Sequence, residues 1–294
     1  MAIIMVIAAD TAHGCNVCGC GVGSNHYGIL PQFQKNFIGL RYHNKSYRSH
    51  LGMDHAAMYS NEHFQNVELW ARFYPAKRLQ LFAFVPYKIN ERTEGADVLR
   101  LKGIGDASVS VNYSLINTYD SALATLRHNL MIGGGVKLPT GNFQAIRDGL
   151  TVNQNFQLGT GSVDFLVNMI YTLRYSSLGL NTEAAFTQTT TNRDDYRFGN
   201  SATGAVSLFN VFTLKTFTIM PYAGISGEVF TDNRQYDVSF DDTGGWAMLY
   251  QAGLEVYYKN IALGTSAQFP GKQELFNGHV TANNRYSAHL TVMW

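Results

Sequence analysis

The sequence predicts an all-β protein: a transmembrane antiparallel up-and-down β-barrel of about twelve strands with both termini on the periplasmic side. Three observations lead there. Apolar and polar residues alternate in segments of about ten, the period of strands with two unlike faces. Aromatic residues bracket the apolar faces, where the headgroup boundaries of a bilayer would lie. The links between segments alternate strictly between short and long.

Composition agrees. Of 294 residues, 46% are hydrophobic and 15% charged, against roughly a quarter charged in an ordinary soluble domain. The longest unbroken apolar stretch is Ala2 to Ala9, far short of the about 20 residues that a helix needs to cross a bilayer. A helical membrane bundle is excluded. The 22 basic and 21 acidic residues leave no net field to draw in nucleic acid, and none is expected as a partner. Backbone groups facing lipid must pair internally, so a sheet can span a bilayer only by closing on itself.

Residues 1–12 read as the remnant of a signal peptide, with a short apolar run and small residues near Ala9 and Ala12 but no basic residue ahead of it. Lipidation of Cys15 is the alternative, and there His13 and Ala12 depart from the usual pattern. Residues 13–35 form a Cys-containing extension, a candidate plug for the bore. Cys15, Cys18 and Cys20 stand together in CNVCGC and are the chain's only cysteines. Any disulfide among them is local and leaves one thiol over. The same spacing of soft ligands suits copper or zinc.

Residues 36–294 form the outer-membrane barrel. Its strands are expected at Asn36 to Arg48, Phe64 to Phe73, Leu79 to Asn90, Gly103 to Leu115, Ala124 to Leu138 and Ser162 to Tyr175. The second half is expected at Leu178 to Thr187, Arg197 to Phe212, Thr216 to Phe230, Gly245 to Tyr258, Ile261 to Phe269 and Arg285 to Trp294. Short links follow every even-numbered strand. Longer ones occupy Ser49 to His63, Glu91 to Lys102, Pro139 to Gly161, Gln188 to Tyr196, Thr231 to Gly244 and Pro270 to Asn284. Long loops outside and short turns inside is the outer-membrane arrangement.

Three strands show their two faces clearly. Trp246, Met248, Tyr250, Ala252, Leu254, Val256 and Tyr258 share one face, against Gln251, Gly253 and Glu255. Val163, Phe165, Val167, Met169, Tyr171, Leu173 and Tyr175 oppose Asp164, Asn168, Thr172 and Arg174. Ala107, Val109, Val111, Tyr113 and Leu115 oppose Ser108, Ser110, Asn112 and Ser114. The last strand alternates to a terminal aromatic residue, Trp294. That ending resembles the signal read by the barrel assembly machinery of Gram-negative bacteria, an expected partner alongside outer-membrane lipid and a small solute.

Three stretches carry a family resemblance: Gly103-Ile104-Gly105-Asp106, Gly134-Gly135-Val136-Lys137-Leu138-Pro139-Thr140-Gly141, and Leu158-Gly159-Thr160-Gly161-Ser162-Val163-Asp164. In order and separation they resemble the outer-membrane proteins of the MetA-pathway phenol-degradation or "transporter" family, relatives of channels for fatty acids and aromatic hydrocarbons. The resemblance implies a channel for a small apolar or aromatic solute. Read for their chemistry alone, the glycines make room at a barrel rim and Pro139 ends a ladder by removing a donor. Asp106, Lys137 and Asp164 would then face the lumen near the outer rim, where an ion-pair ring could hold the loop Pro139 to Gly161.

The polar faces supply candidate lumen or solute-path residues: Glu68, Arg72, Lys88, Lys137, Asp164, Arg174, Glu183, Glu228 and Glu255. Their near balance of sign points to cross-barrel pairing and a narrow or obstructed bore. A metal role, with copper as the expected ion, competes through the cysteines and through His50, Met53, His55, Met58 and His63, whose thioether and imidazole groups suit that ion. A closed barrel that binds a partner is the third reading. Catalysis is not expected: no G-x-S-x-G elbow occurs, and neither His128 nor His289 has a nucleophile at a motif spacing.

Overall fold

The computed structural model describes residues 35–51, 58–118 and 125–294. Its strands are β1 (Phe37–Leu51), β2 (Met58–Ala76), β3 (Leu79–Glu94), β4 (Asp97–Ile104, resuming as Ser108–Asn117), β5 (Leu126–Lys137) and β6 (Asp164–Tyr175). They continue as β7 (Leu178–Gln188), β8 (Ser201–Asn210, then Phe212–Leu214), β9 (Phe217–Phe230), β10 (Gly245–Tyr258), β11 (Ile261–Leu275) and β12 (Val280–Ala282, resuming as Arg285–Met293). Each pairs antiparallel with its neighbours in the chain. The ring closes where β12 returns to β1, with Met293 opposite Phe37 and Tyr286 opposite Asn44. The result is a closed barrel of twelve antiparallel strands.

The outer face is apolar. Phe165, Val167, Tyr250, Leu263 and Leu290 are each at least half exposed, a condition that water would penalise and acyl chains would not. Aromatic residues mark the band's lower edge near the short turns, where Phe73 packs on Trp294 with ring centroids 5.9 Å apart and Phe217 stacks on Tyr258 at 4.7 Å. The upper edge runs through exposed Tyr42, Tyr87, Ile104, Phe186, Trp246, Phe269 and Tyr286.

Above that edge several expected loops prove to be continuing ladder. Ser49 pairs with Ser60 and Leu51 with Met58, so ladder takes up both ends of the expected first loop. Glu91 to Lys102, expected to be a loop, is a hairpin in which Glu94 pairs with Asp97 and Gly95 makes the turn at φ 57. Pro270 to Asn284 is likewise mostly strand, turning at residues 276–279. These segments have largely polar outer faces, so they lack the apolar outward period that marks the membrane-facing strands. Arg197, expected to begin β8, instead pairs together with Tyr196 against Arg234–Gln235, which pairs with Val238–Ser239 in a small sheet between two loops.

The inner face departs from the expectation of a uniformly wet lumen. Phe37, Trp70, Phe82, Phe84, Met131, Ile170, Phe209 and Met220 form a buried apolar layer toward the short turns. A second layer near the long loops joins Tyr47, Phe64, Leu99, Leu249, Leu275 and Val280 to Val152 and Phe156, both from the loop 138–163. That loop therefore folds inward and roofs the barrel. Inward-facing glycines let neighbouring side chains lie flat across the lumen. A Cβ on Gly133 would stand 1.8 Å from Asn112 Oδ1, and one on Gly179 2.1 Å from Phe209 Cζ.

Because Met169 lies on the outer face in the middle of β6, Met169→Arg should destabilise the barrel by about 2–4 kcal/mol, the cost of a cation near the bilayer midplane. Urea unfolding in lipid vesicles measures this. An unchanged midpoint would mean that this face meets water.

Candidate functional site

The site is built in two levels, a latch at the rim and a polar layer in the middle of the lumen. At the rim, β4 breaks between Ile104 and Ser108. A Cβ on Gly105 would lie 2.8 Å from Lys88 Cε, so glycine lets the chain pass close to that side chain. The break turns Asp106 inward beneath the roof loop. Its Oδ1 accepts from the Gly141 amide at 3.0 Å, and its Oδ2 accepts from the amide and hydroxyl of Thr160, both at 2.8 Å. Lys137, at the end of β5, ion-pairs with Asp164 and lies 3.4 Å from Asp106. Asp164 also accepts from Ser162 Oγ at 2.9 Å and from the Thr190 amide at 3.2 Å. The three glycine-rich stretches therefore meet at one place and pin both ends of the loop 138–163 to the barrel wall. Further in, Asn90 Nδ2 donates to the carbonyl of Phe156 at 2.9 Å, which holds the tip of the roof.

Between the two apolar layers lies a polar one. Arg41 on β1 donates to Glu68 on β2, with Nε 3.0 Å from Oε1, and its guanidinium lies 4.7 Å from the Trp70 ring centroid. Arg285 on β12 holds Glu228 on β9 through two hydrogen bonds of 3.0 and 2.5 Å and donates to Tyr47 Oη at 3.2 Å. Glu228 and Arg285 are not ladder neighbours, so this pair reaches across the lumen. On β12, His289 Nε2 lies 3.1 Å from Glu255 Oε2. The two face each other over Gly264, where a Cβ would fall 2.1 Å from His289 Cε1. Along the opposite wall runs an amide track. Asn112 donates to Gln80 at 3.1 Å, Asn168 to Asn112 at 2.8 Å, and Asn181 to Glu183 at 2.8 Å.

The residues singled out from sequence separate into groups. Glu68, Lys137, Asp164, Glu183, Glu228 and Glu255 belong to the latch or the polar layer. Lys88 is half-buried beside Gly105. Arg72 is buried at the short-turn end, where it donates to the Lys35 carbonyl at 2.9 and 3.1 Å. Arg174 lies at the same end and donates to the Ser176 carbonyl at 2.8 Å. Cys15, Cys18, Cys20, Met53 and His55 lie outside the described residues, as does the side chain of Met58. His50 and His63 both face outward on the β1–β2 hairpin, opposite Tyr59 and Ser46 respectively. Four positions of ladder put them about 13 Å apart, too far to share an ion directly. His128 bonds to Tyr171 Oη at 2.8 Å.

Sequence reasoning missed Arg41, Arg285 and the amide track. Arg41 stands in a segment whose two faces are both partly apolar, Phe37-Ile38-Gly39-Leu40-Arg41-Tyr42. The signal available was its place two residues from Gly39 on the face that carries Phe37. Arg285 was counted only as a strand start.

Asp106→Ala removes three acceptor contacts to the loop while leaving the Lys137–Asp164 pair in place. Hydrogen bonds to a charged group are worth about 1.5–3 kcal/mol each, so the Gly141 and Thr160 amides should exchange hydrogen at least tenfold faster while amides in β9–β11 keep their protection. Hydrogen-exchange mass spectrometry reads both. Uniform loosening of the barrel would contradict a local latch.

No family model matches the chain, and no curated protein does. Solved structures do. It is similar to the COG4313 outer membrane channel from Pseudomonas putida F1, at 13% identity and a TM-score of 0.64, over 93% of this chain and 100% of that one. It is also similar to the β domain of the Bordetella autotransporter BrkA, at 11% identity and a TM-score of 0.50, over 88% and 100%. At such identities the likeness concerns the fold, and with the closed ring and the exposed apolar band it makes the chain a β-barrel of the Gram-negative outer membrane.

Proposed function

We propose that the chain is an outer-membrane channel for a small apolar or aromatic solute, with the loop 138–163 regulating access at its outer mouth. One observation carries this reading: apolar layers line both ends of the interior, and the outer one is completed by Val152 and Phe156 from that loop. A channel for ions would present unpaired charge along its path. Here Arg41, Lys137 and Arg285 are each matched to a carboxylate, so the charged layer offers little field to an ion. Its amides and hydroxyls suit the single polar substituent of an otherwise oily molecule. The glycine-rich stretches that resemble the phenol-degradation family form the latch. One solved structure to which this barrel is similar is itself named an outer membrane channel, which agrees.

In the same proposal the short-turn end faces the periplasm. Trp294 lies at that end, exposed, with its amide donating to the Asn36 carbonyl at 3.1 Å. Its placement suits recognition by the barrel assembly machinery.

The test is entry of the apolar dye N-phenylnaphthylamine into intact Gram-negative cells, where lipopolysaccharide is the barrier. Cells with the barrel should take up dye several-fold faster than cells without it, and Asp106→Ala should accelerate entry again. Entry of a labelled disaccharide should stay at the background rate. Equal acceleration of dye and sugar, or of neither, would contradict the assignment.

A further inference from the structure

The strands that rise above the apolar band carry a basic outer face. On β4, Leu99 is buried on the lumen side and the neighbouring Arg100 and Lys102 are exposed on the outer side. On β1, Tyr47 and Ser49 are buried inward and Arg48 between them is exposed outward. Lys102 stands one outward position above the exposed Ile104, and Arg48 stands three above the exposed Tyr42. Each outward step is about 6.6 Å of strand, so Lys102 sits where the oily band stops and Arg100 and Arg48 stand farther up the strands. Arg48 is braced over the Tyr59 ring at 3.9 Å, and Arg100 is 60% exposed in its side chain.

Charge on this face is lopsided. Glu91, 3.8 Å from Arg100, is the acid that shares it among the described residues of β1–β4 above the band. On the other side of the barrel the loop 231–244 is acidic, with Asp232, Asp237, Asp241 and Asp242 against Arg234. One side of the outer rim therefore combines fixed cations with an apolar wall directly beneath them.

We propose that the outer face of β1–β4 binds a phosphorylated glycolipid of the outer leaflet, a lipid A headgroup, with its phosphates on Arg48, Arg100 and Lys102 and its acyl chains along Tyr42, Tyr87 and Ile104. Phosphate on guanidinium or ammonium makes charge-assisted hydrogen bonds. At the boundary of a low-dielectric slab these gain strength over the same contacts in bulk water. The acidic loop 231–244 opposite would repel the same headgroup, so the lipid is held on one side. The proposal rests on the long-loop end facing outward, which labelling of an exposed loop residue on intact cells reads separately.

The experiment is native mass spectrometry and thermal unfolding of the purified full chain in a neutral detergent. The probes are diphosphorylated lipid A, lipid A stripped of its phosphates, and phosphatidylglycerol. Diphosphorylated lipid A should bind and raise the unfolding temperature. In R48Q/R100Q/K102Q its binding should weaken at least tenfold, with unfolding unchanged when no lipid is added. R100Q and K102Q alone should each show part of the loss, and they carry the test if the triple variant does not fold. Lys77→Gln with Lys259→Gln, exposed at the short-turn end, should bind like the parent. Undiminished binding by the substituted proteins would overturn the proposal. So would equal binding of the phosphate-free lipid, or equal binding of phosphatidylglycerol through the same residues.

Discussion

Closure of the backbone hydrogen-bond ring is the constraint from which the rest of this molecule follows. A strand in hydrocarbon cannot leave an amide or carbonyl unpaired, because each orphan costs several kcal/mol and no water is present to replace the partner. Pairing of β12 with β1 removes the last free edge. Once the ring is closed, alternation assigns every side chain to lipid or to lumen. A chain so arranged can be apolar outside without aggregating only if a bilayer surrounds it.

What the ring encloses is organised by layer. Apolar side chains close off the ends and paired charges with amides fill the middle. The charged groups are costly to bury singly, and the structure offsets that cost by matching each buried arginine to an acceptor. Arg285 reaches across the lumen to Glu228, and Arg41 lies against Trp70 while bonded to Glu68. The roof loop is held by a different device. Asp106 sits in a break of β4, where backbone donors from two distant stretches, Gly141 and Thr160, converge on its carboxylate. Asp106 thus ties wall to roof beside Lys137 and Asn90, and none of these contacts belongs to the strand pairing that closes the ring.

Much of the fold was legible because two unlike solvents impose a period of two. On β6 and β10 the oily and polar faces are visible residue by residue, and the structure places them as read. Legibility ended where the contrast between the faces ended. In Glu91 to Asp97 both faces are polar, so a paired hairpin looks like a loop. Around Leu81-Phe82-Ala83-Phe84-Val85 both faces are apolar, because the lumen side joins the lower apolar layer. The meeting of Asp106, Lys137 and Asp164 was suggested by the glycine-rich stretches that carry them. The pairing of Glu228 with Arg285 depends on the curvature of the closed sheet, and no local pattern encodes it. Of the metal-ligand pattern, the described residues place only His50 and His63, on one hairpin and facing outward.

The central claim is that the alternating apolar face touches acyl chains. It is tested most directly by nitroxide labels placed one at a time at Val167, Asn168, Tyr250 and Gln251 in the barrel reconstituted into lipid vesicles. Labels at Val167 and Tyr250 should collide readily with oxygen dissolved in the bilayer, and labels at Asn168 and Gln251 should not. Equal collision rates at neighbouring positions, or the reverse order, would contradict the account.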